Sequence, residues 1–213
     1  MLHYHDTSTG AALHVADALY RVLANQPVRG CIALGGGSTL KPVARELARR
    51  LRDATDARRP VDIFVTDDFV DPGEGSNLRM LQEAFACVPD VTLHATEAAV
   101  AMEQITGRAQ FDFVVLGLGT DSHTAAVFTA EDIANPDRLL NTTCPQGTAR
   151  RSLGLAAIAT GQHIAIVATG TSKAEAVAQI FHGSPASAGV LARLPQVEIH
   201  VDPAAMQKVG KPQ

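Results

Sequence analysis

The run Cys31-Ile32-Ala33-Leu34-Gly35-Gly36-Gly37-Ser38-Thr39 passes from an apolar strand through consecutive glycines to the start of a helix. Four apolar residues with no polar one between them suit a strand covered on both faces. Residues 40–51 follow, with Val43, Leu47 and Leu51 on one helical face and arginines on the other. The same alternation recurs along the chain. Residues 31–34, 61–65, 111–116 and 163–167 read as buried strands, and 11–25, 77–85 and 172–181 as amphipathic helices. Apolar strands alternating with such helices predict an α/β fold, a mostly parallel sheet with helices on both faces. Residues 130–149, rich in Asn, Pro, Asp, Thr and Gly, are expected to form a surface excursion ending in a loop at 142–147. The tail after Met206 is expected to fray.

The 213 residues, 46% of them hydrophobic, fit one domain spanning 1–213 with a sizeable core. A formal net charge of −4 gives no basic footprint for nucleic acid or an anionic membrane. Cys31, Cys87 and Cys144 are far apart and form no C-x-x-C pair, which argues against a cysteine zinc cluster and a redox pair. A sparse cysteine count, the absence of a signal-like start and of a long apolar run predict a cytoplasmic location.

In open α/β sheets, ligands bind beyond the carboxyl ends of the strands, and the residues there are chemically unusual. Gly36, Gly37, Ser38 and Thr39 bring backbone N–H groups and a helix start to one place, which suits an anion. Ser38 or Thr39 can also cap the helix, and a plain strand-to-helix turn is the alternative. The loop is neither a Walker A sequence nor a G-x-G-x-x-G fingerprint, which argues against a nucleotide ligand. After the 61–65 strand, Asp67 and Asp68 stand together, with Ser76 and Asn77 downstream. They suit either sugar hydroxyls or an acidic loop that caps the next helix.

After the 111–116 strand comes Gly117-Leu118-Gly119-Thr120-Asp121-Ser122-His123-Thr124-Ala125. His123 suits a general base, with Asp121 to orient its ring and the N–H groups near Gly117–Gly119 as candidate oxyanion donors, or a loop histidine satisfied by local hydrogen bonds. The other histidines (His3, His5, His14, His94, His163, His182 and His200) lack such a setting and read as structural or surface residues. Arg150, Arg151 and Lys173 supply cations, and Lys173 shares the strand-end face with the glycine loop.

Taken in order, these motifs together with Gly170-x-x-Lys173-Ala174 and Pro185-Ala186-Ser187 resemble the 6-phosphogluconolactonases, in a wider group with the glucosamine-6-phosphate deaminases. The resemblance runs from about residue 10 to about residue 205 and implies a doubly wound, Rossmann-like sheet. It implies hydrolysis of 6-phospho-D-glucono-1,5-lactone, a step of the pentose phosphate pathway. In that reading His123 activates water, and the 36–39 loop, Arg150 and Lys173 handle the phosphate. Its register favours Arg150 over Arg151.

No cofactor or metal is implied, and the expected partner is a sugar phosphate bound by a monomer or homodimer. Deaminases carry a carboxylate five residues after the histidine, where this chain has Phe128. The lactonase pattern has Arg at position 69, Gly at 122 and Pro at 40, where this chain has Phe69, Ser122 and Leu40. Arg79 is the candidate to replace the missing charge. The alternatives are a deaminase- or isomerase-like enzyme using Asp67 or Asp68 as base, and a sugar-phosphate-binding homologue without catalysis.

Overall fold

The structure is a computed structural model that describes residues 1–54, 59–71, 73 and 75–209. In chain order its strands are β1 (Leu2–Tyr4), β2 (Gly30–Leu34), β3 (Val61–Val65), β4 (Asp67–Phe69), β5 (Val91–His94), β6 (Phe113–Gly117), β7 (Leu139–Thr143), β8 (Ala149–Leu153), β9 (His163–Ala168) and β10 (Val197–Val201). The helices are α1 (Ser8–Ala24), α2 (Lys41–Asp53), α3 (Asn77–Phe85), α4 (Met102–Thr106), α5 (Ala130–Ala134), α6 (Leu155–Ile158), α7 (Ala174–Phe181) and α8 (Ser187–Leu191).

Seven strands form one sheet in the order β1-β10-β9-β6-β2-β3-β5, and every pairing in it is parallel. Side chains of successive strand residues point to opposite faces, and the core divides accordingly. Ile32, Leu34, Ile63 and Val65 pack with Leu19, Leu47 and Leu81 of α1, α2 and α3. Cys31, Ala33 and Phe64 face the other way, into a cluster with Phe111, Met102 and Val177. Both faces of the sheet are covered, which is why the central strands are mostly apolar, with Asp62 of β3 the buried exception, paired to Arg29 and His94.

The expected strands are all present; β2 and β9 are each one residue longer than expected, and β6 shows the largest shift. Residues 111–116 were expected as a strand, but β6 begins at Phe113, because Asp112 holds β2 with its side chain. Its carboxylate accepts from Cys31 N at 2.7 Å. A larger difference concerns residues 130–149. They contain α5 and β7, and β7 forms an antiparallel sheet with β8 and β4, in the order β4-β8-β7. The expected loop is the turn between β7 and β8, closed by Cys144 N to Thr148 O at 2.9 Å, and residues 135–138 link α5 to β7 without regular structure. The chain after Met206 is held as far as Val209 by Val209 N to Met206 O at 3.1 Å; residues 210–213 lie outside those described. No described helix is long and apolar enough to cross a membrane.

Chain order reverses across the main sheet at β2, which pairs with β3 on one side and β6 on the other. The carboxyl ends of these strands flank a switch point, where open α/β sheets leave a crevice.

Candidate functional site

A cavity of about 480 Å³ opens at that switch point. Its floor is the turn after β2. Gly35 N donates to Val115 O at 3.0 Å, and Leu40 N and Lys41 N both donate to Gly37 O, at 3.2 and 3.0 Å. Between them, the N–H groups of Gly36, Gly37, Ser38 and Thr39 meet no acceptor among the described residues. These four adjacent donors lie just before the cap of a 13-residue helix, an arrangement that suits an anion. Ser38 and Thr39 do not cap α2 as expected. The cap is Leu40, with no side-chain bond, and Pro42 sits in the first turn, where a missing N–H is tolerated.

Gly36 is required by close approach. A Cβ there would lie 1.9 Å from Asn77 Oδ1 and 2.7 Å from Asn77 Cβ. Gly36→Ala is therefore expected to displace Asn77, break its 2.7 Å bond from Nδ2 to Asp67 O and lower stability by about 1–3 kcal/mol. Denaturant titration measures the loss, and phosphate titration of the refolded variant measures the damage to these donors.

The acidic pair divides. Asp68 belongs to the start of α3: it accepts from Asn77 N and Leu78 N at 2.9 Å each and from Ser76 Oγ at 2.7 Å. Ser76 is the N-cap, accepting from Arg79 N at 3.2 Å. Neither Asp68 nor Ser76 lines the cavity; the helix-capping alternative describes them. Asp67 and Asn77 do line it. Asp67 is buried and forms an ion pair with Arg150. Burial pushes its carboxyl up, and the Arg150 charge opposes this only in part.

Arg150 is directly opposite Phe69 in the β4–β8 register. Its guanidinium sits 4.1 Å over the centre of the Phe69 ring, a cation–π contact. The small antiparallel sheet thus aims one cation at the cavity, with an aromatic plate beneath it. Arg151 points away, 3.1 Å from Glu97. Arg79 does not supply the missing charge: it is exposed and 3.6 Å from Glu83, one turn along α3. Lys173 lines the cavity from the turn before α7. Burial lowers its pKa, against the pull of Asp121. Gly170, which begins that turn, donates to the Asp202 carboxylate at 3.0 Å, a support from the end of β10 that sequence order conceals.

His123 stands on the opposite wall. Its Nδ1 is hydrogen-bonded to Asp121 Oδ1, which leaves Nε2 without a partner among the described residues. Asp121 itself lies behind the ring and does not line the cavity. Burial raises the Asp121 carboxyl, but the bond and charge of His123 outweigh it, so the group ends below its ordinary value. Gly119 lines the cavity and allows this pair to fold back. A Cβ there would lie 2.2 Å from His123 Nδ1. Its N–H donates to His123 O at 2.7 Å and so is not a free oxyanion donor.

Ser122 adopts a left-handed backbone, φ 68°, which costs about 1–2 kcal/mol for a residue with a Cβ. Its buried hydroxyl offsets part of that with Gln179 Oε1 at 2.7 Å and Ala176 O at 3.2 Å. Ser187, in the Pro-Ala-Ser motif, holds the same loop by accepting from Thr124 N and donating to Val127 O, both at 2.9 Å. Sequence reading missed Phe128 and Thr66 as cavity residues. The Phe128 ring lies 4.6 Å from the His123 ring.

Fold and cavity define an α/β protein with four adjacent backbone donors, two lining cations and a histidine–aspartate pair at one switch point. The chain belongs to the glucosamine-6-phosphate isomerase/6-phosphogluconolactonase family, whose model matches residues 5–201. It is 28% identical to a glucosamine-6-phosphate deaminase of Beutenbergia cavernae, over 96% of this chain and 90% of that one. It is 34% identical to a 6-phosphogluconolactonase of Rhizobium meliloti, over 68% of each chain. Among solved structures, a monomeric glucosamine-6-phosphate deaminase superposes with a TM-score of 0.84 at 16% identity, covering 97% of this chain and 99% of that one. At that identity the superposition speaks for the fold alone.

Proposed function

We propose that the chain hydrolyses 6-phospho-D-glucono-1,5-lactone to 6-phosphogluconate. The observation that carries this reading is the wall at His123. The residue five places on, where a deaminase would carry a carboxylate, is Phe128, packed beside the imidazole within the same cavity. That wall has a base for water and, among the described residues, no second carboxylate for proton relay.

The phosphate binds the free N–H groups of residues 36–39, with Lys173 and Arg150 as counter-charges. Neutral His123 accepts a proton from water at Nε2 while the water oxygen bonds to the lactone carbonyl carbon. Asp121 accepts the Nδ1 proton in a hydrogen bond, fixing the tautomer and stabilising the imidazolium that forms. The tetrahedral intermediate then collapses, the bond from that carbon to the ring oxygen breaks, and the imidazolium returns its proton to the ring oxygen. The product acid ionises, so one proton is released per turnover. Asp67, paired to Arg150, holds the cation in place and takes no part in proton transfer.

The deaminase reading draws support from the near full-length similarity to the Beutenbergia cavernae protein and from Phe69, an aromatic where the deaminase pattern also has one. Acid release from freshly made lactone, corrected for spontaneous opening, is measured beside ammonia release from glucosamine 6-phosphate. Lactone turnover well above background without ammonia is the expected result. Ammonia release overturns it in favour of the deaminase. Binding of 6-phosphogluconate with neither activity overturns it in favour of a sugar-phosphate-binding protein.

A further inference from the structure

Four of the chain's eight histidines meet at the β1 edge of the main sheet, and none of them lines the cavity. His3 is on β1, His5 just beyond it, His14 on α1 and His200 on β10. His3 and His200 are cross-strand partners, with rings stacked at 4.7 Å. The His14 ring lies 5.7 Å from the first and 5.6 Å from the second. One ring nitrogen from each of His3, His14 and His200 converges, all within 4.8 Å of one another.

Hydrogen bonding identifies the available atoms. His200 Nδ1 is 3.1 Å from His5 Nε2, so its remaining nitrogen is Nε2. That atom and His3 Nε2 are both buried with no hydrogen-bond partner among the described residues. A buried polar atom left unpaired costs about 1–3 kcal/mol, and two side by side are uncommon in a folded protein. Glu198 Oε2 lies 3.5 Å from one and 3.6 Å from the other, too far for a good hydrogen bond.

We propose that His3, His14 and His200 bind one divalent transition-metal ion of the zinc class, with the Glu198 carboxylate in reach of the fourth position. Imidazole is a preferred ligand for such ions. His5 takes the outer role usual at histidine sites: it accepts from Nδ1 of His200, fixing the tautomer that presents Nε2. Tetrahedral bonds of about 2.0–2.1 Å set ligand nitrogens roughly 3.4 Å apart, so the rings must close inward. His14 is exposed and turns most freely. The ion joins β1, β10 and α1, so its expected effect is on the stability of the sheet edge and not on turnover.

The test uses the full chain without a histidine tag, stripped with chelator and titrated with Co²⁺ and Zn²⁺. The expected result is one ion per chain, the visible absorption of tetrahedral Co²⁺, and a Tm that rises with Zn²⁺ concentration. His14→Ala, at an exposed position, weakens binding at least about tenfold and leaves any lactone turnover unchanged. His3→Ala weakens it as well, and His123→Ala leaves the stoichiometry unchanged. Absence of stoichiometric binding overturns the proposal. So does binding indifferent to both His14→Ala and His3→Ala, or binding lost with His123→Ala.

Discussion

His123→Ala lowers kcat for lactone opening by about 10²–10⁴-fold, the usual contribution of a general base, while the chain stays folded. The imidazole is 28% exposed, so truncation opens no large void in the core. Its hydrogen bond runs to Asp121, whose carboxyl is 54% exposed and can be rehydrated once the ring is gone. The phosphate cradle belongs to a different turn and keeps its donors, so KM moves by much less than kcat. That split marks loss of an interaction made in the transition state. Asp121→Asn should produce a smaller fall of the same kind, since it leaves the base in place but weakens control of its tautomer. Rates are read by proton release after subtraction of spontaneous opening. A fall of only a few-fold in His123→Ala, with an unchanged circular dichroism spectrum, would remove His123 from the mechanism.

The parts of this molecule legible in sequence are those where one local rule acts alone. β2, β3, β6 and β9 are covered on both faces, so their apolar runs stand out. α3 was bounded correctly at Asn77–Phe85 because Ser76 caps it and the apolar period is clear. The edge strands β1 and β5 are short and partly exposed, and β10 (Val197-Glu198-Ile199-His200-Val201) mixes charge into its pattern. β7 fell inside the stretch 130–149 read as an excursion, and β4 and β8 were not anticipated as strands, because strands such as Ala149-Arg150-Arg151-Ser152-Leu153 are largely polar. They are defined by pairing with each other, which composition does not express.

The candidate site follows the same division. The glycine loop and the histidine motif each lie within a few residues, so their joint placement at strand ends could be anticipated. The assignment of Asp67 inward and Asp68 to a helix cap depends on which way each side of a three-residue strand faces. Arg79 failed as a replacement cation because its place on α3 turns it to solvent. The cluster of His3, His14 and His200 spans nearly the whole chain and had no local signal at all.

Arg150→Met is expected to cost about 3–5 kcal/mol of stability, the usual penalty for removing one member of a buried ion pair. For a chain of this size that is a fall of about 6–20 °C in Tm, at about 2–4 °C per kcal/mol. Asp67 is 6% exposed, so its carboxylate cannot recover in water what it loses from the guanidinium. The pH dependence follows from sign. Burial already raises Asp67 above its ordinary value of 3.8, and without Arg150 nothing comparable opposes it. A carboxyl whose folded pKa is raised favours the folded state most when protonated. Stability is therefore lost as pH climbs from about 3.8 through the raised value. The deficit of Arg150→Met should be small in acid and full at neutral pH. Adding Asp67→Asn to Arg150→Met removes the stranded charge and keeps an oxygen for the 3.1 Å bond from Thr66 Oγ1. Most of the lost stability should return in that double variant, because a matched neutral replacement of a buried pair is often close to neutral in energy. Denaturant titrations of the single and double variants at acid and neutral pH decide the matter. A deficit independent of pH and unrelieved by Asp67→Asn would mean that Arg150 stabilises the fold through its stacking on Phe69 and not through the buried charge.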